Sequence, residues 1–495
     1  MSNYVCIHGH FYQPPRENPF TGEVPVQPTA APWHDWNARI TEESYAANAR
    51  ARILGGDGEV LREIDNYQRI SFDFGPTLLS WLEQGDPDTY RAVIDADVAS
   101  ARRFGGHGSA MAQAYNHAIL PLSNTRDKVT QVRWGIADFR HRFGRDPEGM
   151  WLPETAVDME SLDVLAREGI RFTILSPYQA AGVETDDGSW AEVRDGSIDT
   201  RSPYRVDLGE GRTIAIFFYD GPLSREIAFD GLLEDGNALA GRLLGSIGEP
   251  GEDPRLAHVA TDGETYGHHH RHGEMALAVS LEAIDASPDA SLTNYSEYLA
   301  AHPPRRKVAI AEDTSWSCAH GVERWRADCG CKTGREPTGH QRWREPLRSA
   351  LDWLRDELTR PFEDLGGELL ADPWQARDDY ISIVLDGPTD PFIDEHARPG
   401  VDTEGRRRAL GLLEIQEHAM LMYTSCGWFF DDISGLEAVF VLRHAGRVCE
   451  LARDVVGVDL EPELMARLER APSNLEDVDG RVVYEREVSP FVGRR

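Results

Sequence analysis

The stretch GMWLPETAVDMESLDVLAREGIRFTIL, residues 149–175, decides the fold class. It opens with a short apolar run that ends at Pro153, continues with helical spacing of its leucines over 158–168, and closes on the apolar run 172–175. A strand, a helix and a second strand in this order predict a parallel β-α-β unit. Further strands are predicted at 4–8, 213–219 and 258–261. The alternation predicts an α/β barrel or a doubly wound sheet.

Polar residues with useful chemistry follow several of these strands, which favours the barrel, because a barrel carries its chemistry at the carboxyl ends of its strands. The pattern changes near 301–306. Beyond that point, segments with a period near 3.6 residues predict long helices at 347–358, 407–421 and 436–455. We therefore expect a barrel domain at 1–304 and a helical domain at 305–495 that completes the active-site cleft and is truncated at its end.

Composition and charge limit the class of protein. Hydrophobic residues make up 41% and charged residues 27% of the 495, which is typical of a globular protein. The formal net charge of −33 predicts repulsion from phosphate backbones and anionic lipid, so we expect neither nucleic acid nor membrane as a partner. The N-terminus shows no secretory signal, and we expect an acidic, cytoplasmic protein. The oligomeric state stays open.

Five clusters combine ionisable and aromatic residues, and four of them follow predicted strands. They lie at 8–15, 115–122, 149–154, 261–270 and 314–325. Two carboxylates, Glu154 and Asp262, stand at separate strand ends, with histidine and tryptophan nearby and few basic groups. This set indicates glycoside cleavage, in which one carboxylate attacks or stabilises the anomeric carbon while the other protonates the leaving oxygen.

The sequence resembles glycoside hydrolase family 57, whose five motifs appear here in order. The Trp-Leu-Pro-Glu motif is unchanged at 151–154, and Asp-Gly-Glu-x-aromatic-Gly is matched at 262–267. The His-x-His-Gln-Pro motif corresponds to 8–14, with Phe11 and Tyr12 inserted, while 117–122 and 316–325 match the remaining two. The variant at 317–320 resembles a subgroup that carries a further C-terminal domain of unknown function, and we expect the chain to stop inside or soon before it.

The resemblance implies an incomplete seven-stranded (β/α) barrel followed by a helical bundle. It also implies a retaining mechanism on an α-glucan or oligosaccharide, by hydrolysis or glucanotransfer. Glu154 would be the nucleophile and Asp262 the general acid/base, with Glu264 as the alternative acid. Substrate-binding side chains are expected at His8, His10, Gln13, His117, Trp151, Glu264, Tyr266, Trp316, His320 and Trp325.

Two other functions stay open. A metal-dependent polysaccharide deacetylase would use a triad that His8, His10 and Asp262 can supply, and a non-catalytic glucan-binding protein would use the same scaffold. The histidine run 268–272 is interpreted as a loop at the rim of the site. We assign neither a metal nor a cofactor to catalysis.

A separate question concerns four N and S ligands close together in the sequence, Cys318, His320, Cys329 and Cys331. They could hold a structural zinc ion. Their spacing departs from the common Cys-x-x-Cys pattern, and His320 has a competing role in sugar binding. The sequence leaves this site undecided.

Overall fold

The computed structural model describes residues 3–185, 187–193, 195–248, 254–333 and 339–493. Its strands are β1 (Asn3–Phe11), β2 (Ala51–Leu54), β3 (Val60–Ile64), β4 (Ser71–Phe74), β5 (Ala110–Gln113), β6 (Met150–Trp151), β7 (Phe172–Leu175), β8 (Ala180–Glu184), β9 (Trp190–Glu192), β10 (Tyr204–Gly209), β11 (Arg212–Phe218), β12 (Leu256–Asp262), β13 (Ala290–Leu292) and β14 (Arg306–Ile310).

Its α-helices are α1 (Trp36–Ile40), α2 (Ala46–Ala49), α3 (Pro76–Gly85), α4 (Pro87–Arg103), α5 (Thr125–Phe143), α6 (Met159–Arg167), α7 (Gly221–Phe229), α8 (Gly236–Ser246), α9 (Gly273–Asp285), α10 (Tyr295–Ala301), α11 (Arg344–Leu369), α12 (Pro373–Asp379), α13 (Ile381–Val384), α14 (Thr389–His396), α15 (Thr403–Leu421), α16 (Cys426–Phe429), α17 (Leu436–Leu451), α18 (Glu461–Leu468) and α19 (Gly480–Glu487). The strands predicted at 4–8, 172–175, 213–219 and 258–261 are confirmed as β1, β7, β11 and β12.

The β6-α6-β7 unit forms as the opening stretch predicts. Asp158 caps α6 by accepting a hydrogen bond from the Ser161 amide at 2.7 Å, which satisfies an amide that the first helical turn leaves without a partner. Leu162 and Leu165 are fully buried on the inner face of the helix. The strand β7 is buried throughout, as expected for a strand in a parallel sheet covered by helices.

Seven parallel strands run in the order β1, β4, β5, β6, β7, β11 and β12. Ladders join β12 to β1, β1 to β4, β4 to β5, β5 to β6 and β7 to β11, and a bridge from Gly149 to Phe172 links β6 to β7. Between β11 and β12 the described residues form no ladder, and the Asp220 amide donates to the His258 carbonyl there at 2.9 Å. The strand order follows the chain and returns to β1, so the incomplete seven-stranded barrel is confirmed and the doubly wound sheet is not.

A second group of strands extends from the barrel. β10 pairs with β11 in antiparallel fashion, β14 pairs with β10, and β8 and β9 follow at the outer edge. The sequence pattern predicts no strand after residue 305, yet β14 lies at 306–310. Its pairing with β10 and β8 holds this segment with the strands that precede it.

The chain divides into two compact units. Unit 1 contains the barrel and comprises 1–15, 26–114 and 142–316, whereas unit 2 comprises 16–25, 115–141 and 317–495. The long helices predicted at 347–358, 407–421 and 436–455 are confirmed in unit 2 as α11, α15 and α17. Arg494 and Arg495 lie outside the described residues. None of the helices in the described ranges has the length and apolar character that crossing a membrane requires.

Candidate active site

Three neighbouring strands of the barrel bring polar side chains together at their carboxyl ends. His10 on β1 pairs in register with Asp73 on β4 and with Asp262 on β12. Parallel strands in register place their last residues side by side. One histidine therefore stands between two carboxylates.

Asp73 holds two histidines of β1 at once. Its Oδ2 lies 2.8 Å from Nδ1 of His10, and its Oδ1 lies 3.0 Å from Nε2 of His8. Nδ1 of His8 lies 3.2 Å from the hydroxyl of Ser71. His8 and His10 point to the same side because they alternate along a strand.

Asp73, His10 and His8 differ in their protonation. Burial opposes protonation of His10, but the charge and hydrogen bond of Asp73 outweigh it and raise the pKa of His10 to about 9. Burial lowers the pKa of His8. Burial would raise the pKa of Asp73, yet its two imidazole partners bring that pKa below its ordinary value. At neutral pH the cluster is an Asp73 carboxylate, a His10 imidazolium and a neutral His8.

Trp151 packs against both histidines. Its ring stacks on His8 with centroids 5.0 Å apart and on His10 with centroids 4.9 Å apart. Trp151 and His8 are both 0% exposed, and their predicted sugar contacts stay predictions. Their position between packed strands makes them supports for the orientation of His10.

Glu154 lies directly after β6 in a backbone conformation unusual for its residue type. Its φ is 58° and ψ is 21°, in the left-handed region that costs energy for a residue with a side chain. The indole N–H of Trp316 donates to Oε2 of Glu154 at 3.0 Å, and the Trp316 amide donates to the Glu154 carbonyl at 3.0 Å. These two bonds fix both the main chain and the carboxylate of Glu154.

Asp262 ends β12 with its side chain accessible to solvent. The protein around its carboxyl group nevertheless desolvates it and raises its pKa. The negative charge of Asp73 adds to this effect, and the positive charge of His10 opposes it. Asp262 is thus an accessible carboxyl group that keeps its proton at higher pH than an ordinary aspartate.

Glu264 is buried two residues further on. Its Oε1 accepts hydrogen bonds from the Tyr45 hydroxyl at 2.5 Å and from the Tyr12 amide at 3.3 Å. Burial, with the negative charge of Asp262, raises the pKa of Glu264 to about 7. These contacts tie the loop after β12 to the loop after β1 and orient both loops, and Glu264 is 5% exposed.

Both glycines of the 262–267 motif stand where a side chain would clash with neighbouring atoms. A Cβ on Gly263 would lie 2.3 Å from the ring of Phe11, and one on Gly267, where φ is +128°, would lie 2.2 Å from the Glu43 carbonyl oxygen. Between them, Tyr266 is 0% exposed and its hydroxyl accepts from Thr261 at 3.2 Å. The ring of Tyr266 thus lies in the packed interior, and its sugar contact stays a prediction.

Two residues of unit 1, Asp73 and Gln113, are not predicted as site residues from the sequence. Asp73 lies in the short run 71–74, whose alternation of polar and aromatic residues is the signal that could have identified a strand. Gln113, at the end of β5 and beside Trp151 in register, is 1% exposed. Neither its amide oxygen nor its amide nitrogen has a partner among the described residues. Gln13, which was predicted, is half-buried after β1, and its carbonyl accepts from Thr77 at 3.2 Å.

The other predicted sugar-binding residues lie in unit 2. His117 is buried with φ 53°, and its Nδ1 lies 2.5 Å from the hydroxyl of Ser425. His320 lies beside three cysteines. Trp325 is 0% exposed in the interior of unit 2, and its role in sugar binding stays a prediction.

Among the described residues, one group of at least three His, Cys, Asp or Glu side chains has ligand atoms close enough to share a metal ion. It consists of Cys318, His320, Cys329 and Cys331. The triad His8, His10 and Asp262 is not such a group among these residues, and Asp73 contacts both imidazoles. In the run 268–272, His268 contacts Glu43 and His270 donates to the Ala228 carbonyl at 2.7 Å.

Comparison with known proteins agrees with this geometry. A family model described as Glycosyl hydrolase family 57 matches residues 105–311, which include both motifs that carry Glu154 and Asp262. Residues 105–311 thus match glycosyl hydrolase family 57. A second model, Domain of unknown function (DUF3536), matches residues 339–494. This match covers α11 to α19, so a domain of unknown function follows the family 57 segment, as the resemblance implies.

The family 57 relatives are distant. A 4-α-glucanotransferase of Thermococcus litoralis is 23% identical over 291 residues, which are 56% of this chain and 39% of that protein. An α-amylase of Pyrococcus abyssi is 22% identical over 293 residues, again 56% and 39% of the two chains. The chain thus spans about two fifths of the length of the curated relatives it matches.

Two solved structures share the fold. An exo-type maltose-forming amylase from Pyrococcus sp. ST04 superimposes with a TM-score of 0.68 at 13% identity, covering 94% of this chain and 82% of that chain. A GH57-type branching enzyme from Pyrococcus horikoshii gives a TM-score of 0.59 at 15% identity, covering 100% and 98%. These matches bear on the barrel fold alone.

Proposed function

We propose that this protein is a retaining, α-glucan-active enzyme, a glycoside hydrolase or a glucanotransferase, with Glu154 as nucleophile and Asp262 as general acid/base. The observation that carries the proposal is the contrast between the two carboxyl groups. Glu154 accepts a hydrogen bond from the Trp316 indole, which stabilises an ionised carboxylate, whereas the surroundings of Asp262 raise its pKa. Two carboxyl groups with opposite preferences suit the acid and nucleophile of glycoside cleavage.

In the first step, the Glu154 carboxylate attacks the anomeric carbon and forms a glycosyl ester while Asp262 gives its proton to the departing glycosidic oxygen. In the second step, Asp262 takes a proton from the acceptor hydroxyl, which attacks the same carbon and releases Glu154. Retention requires the two carboxyl groups to be about 5–5.5 Å apart. Water as acceptor gives hydrolysis, and a sugar hydroxyl gives transfer.

His10 and Trp316 are the sugar-binding residues we assign in unit 1. The imidazolium of His10, oriented by Asp73 and Trp151, donates a charge-assisted hydrogen bond to a substrate hydroxyl. Trp316 presents an aromatic face beside Glu154, where it covers the apolar C–H face of a sugar ring. We also propose that residues 305–495, with His117 of unit 2, complete the cleft. The names of the relatives, a glucanotransferase and amylases, support an α-glucan as the substrate class.

Two experiments test the proposal: profiling of the reaction products, and rescue of inactive variants by azide. The protein is incubated with maltooligosaccharides, amylose and glycogen, and the products are profiled for new reducing ends, a disproportionation ladder or new branch points. Glu154→Gln should abolish turnover on each substrate, while a surface control, Glu210→Gln on the exposed turn before β11, should not change it. Azide should restore turnover to Glu154→Ala with formation of the inverted glycosyl azide. With Asp262→Ala, azide should act as the acceptor in the second step and give the glycosyl azide of retained configuration.

Each competing function predicts another outcome. A deacetylase would release acetate from acetylated oligosaccharides and leave glycosidic bonds intact. A glucan-binding protein would bind maltooligosaccharides without turnover of any substrate, including an α-glucosyl fluoride whose leaving group needs no protonation. Normal turnover by Glu154→Gln would contradict the assignment of the nucleophile.

A further inference from the structure

Four side chains of unit 2 that the proposed reaction does not use converge on one point. The ligand atoms of Cys318, His320, Cys329 and Cys331 all lie within 4.8 Å of one another. Cys318 is buried, Cys329 and Cys331 are half-buried, and His320 is exposed, so the cluster lies just below the surface. An ion can reach it from solvent.

The spacing of the atoms matches the edges of a tetrahedron around zinc. With Zn–S bonds of about 2.3 Å and Zn–N bonds of about 2.0–2.1 Å, tetrahedral geometry sets S···S near 3.8 Å and S···N near 3.5 Å. The Sγ atoms of Cys318 and Cys329 are 3.9 Å apart, and Sγ of Cys331 lies 3.5 Å from Nδ1 of His320. A disulfide would need an S–S distance of about 2.05 Å, far shorter than the 3.9 Å observed.

The backbone is folded to present the ligands in pairs. After Cys318 the chain reverses, with the Gly321 amide donating to the Cys318 carbonyl at 3.1 Å. Between Cys329 and Cys331, Gly330 has φ +83°, a conformation that glycine adopts without strain. The two short segments therefore supply two ligands each.

Two buried arginines next to the cluster provide an independent observation. The Arg344 guanidinium is 0% exposed and donates to the carbonyls of Cys331, Phe429 and Phe430 at 3.0, 3.5 and 3.3 Å. Its Nε has no partner in the described part of the chain. Arg324 is 4% exposed and donates to the carbonyls of Ser317 and Phe429.

Buried cations bonded only to neutral carbonyls need a negative charge nearby. The carboxylate of Asp431 lies close to Arg344 and accepts from Thr333 at 3.0 Å. Three thiolates around one Zn²⁺ carry a net charge of −1, which adds the second negative charge that two arginines require. A cluster of neutral thiols would not supply it.

We propose that Cys318, His320, Cys329 and Cys331 bind one structural zinc ion. Four protein ligands fill the tetrahedron and leave no position for water or substrate, which distinguishes a structural site from a catalytic one. Binding displaces three thiol protons and closes the segment that follows Trp316. His320 then serves the metal, in place of the sugar contact that the sequence predicts for it.

The test uses the full chain purified under reducing conditions, loaded with ZnSO₄ and freed of loosely bound metal by gel filtration. Elemental analysis should find one zinc per chain. Cys331→Ser and His320→Ala should fall to background, while the matched control Cys426→Ser, a half-buried cysteine on α16, should keep its zinc. A far-ultraviolet circular dichroism spectrum like that of the wild type shows that each variant folds.

Cobalt provides a readout that needs no variant. Replacing zinc by Co²⁺ in the wild-type chain should give the intense d–d bands of a tetrahedral site and a thiolate-to-cobalt charge-transfer band. The proposal is overturned if wild type binds no more zinc than Cys331→Ser. It is also overturned if cobalt shows only weak octahedral bands, or if peptide mapping of reduced, zinc-treated protein finds Cys318 and Cys329 joined. None of these measurements depends on glucan activity, so the proposed function is tested separately.

Discussion

Asp73→Asn is the substitution whose effect the structure defines most closely. It keeps the shape of the side chain and removes the negative charge that His10 and His8 share. The His10 imidazole, 4% exposed, would then stay buried without its main counter-charge. Burial lowers the pKa of a histidine, so His10 in the variant should be neutral over the range where it is charged in the wild type.

The magnitude follows from the pKa of His10. Its value rises from 6.5 to about 9 on folding. At 1.36 kcal/mol per unit, this difference is worth roughly 3 kcal/mol of folding free energy. Because the folded pKa is the higher one, the stabilisation is complete below pH 6.5 and is lost as the pH rises through 9. Removing one member of a buried charge pair costs about 3–5 kcal/mol, so the variant should show that loss near pH 6.5 and only about 1 kcal/mol near pH 10.

The assay is urea unfolding of both proteins at pH 6.5, 8 and 10, followed by circular dichroism. Asp97→Asn is the matched control, since Asp97 is a 2% exposed aspartate of unit 1 that pairs with Arg145 at 2.8 Å. An arginine stays charged up to about pH 12. The free-energy loss of the control should therefore be the same at all three pH values.

The reasoning is refuted if the loss in Asp73→Asn is as independent of pH as the loss in Asp97→Asn. That outcome would mean that His10 is not charged in the folded protein. A direct NMR titration of the His10 imidazole in the wild type gives the same answer without unfolding. A midpoint near or below pH 6.5 would contradict the charge assignment.

Four further predictions concern other parts of the molecule. Trp316→Phe removes the hydrogen bond to the Glu154 carboxylate, worth about 1.5–3 kcal/mol, and should lower kcat about 10- to 100-fold with little change in melting temperature. Gln113→Leu removes a buried amide without a partner in the described residues, so thermal denaturation should show equal or higher stability, and a clearly lower melting temperature would contradict this. Gly267→Ala should cost more than about 2 kcal/mol in urea unfolding, whereas Gly188→Ala, with φ +79° and open space around its Cβ, should cost less. The net charge of −33 predicts a melting temperature that rises from low to molar salt, and a flat profile would contradict a role of charge repulsion.

The sequence predicts the barrel because its signals are local. Apolar runs such as 172–175 are long enough to be recognised as strands, and Asp158 and the leucine spacing mark α6 clearly. β6 has only two residues and β14 follows two prolines, so neither carries a period that a pattern can reveal. Their strand character comes from partners far away in the chain, which local pattern does not encode.

The candidate site is predictable to the extent that its residues adjoin recognisable motifs. Glu154, Asp262 and His10 were found in this way. Asp73 was not, since its role depends on the register of β4 against β1, and its own surroundings in the sequence resemble an ordinary amphipathic strand. Conversely, the pattern cannot tell that Trp151 faces inward, because an aromatic residue beside a carboxylate has the same sequence signature whether it binds a sugar or supports a histidine.

Asp73 also bears on the acid role of Asp262. A general acid must hold its proton near the working pH, and an ordinary aspartate with a pKa of about 3.9 does not. An imidazolium at His10 alone would lower the pKa of Asp262 still further. Burial raises the pKa of Asp262 against this effect, and the negative charge of Asp73, which lies 2.8 Å from His10, adds to the rise. The residue that keeps His10 charged for sugar binding therefore also offsets part of the effect of that charge on Asp262, while burial keeps the pKa of Asp262 raised.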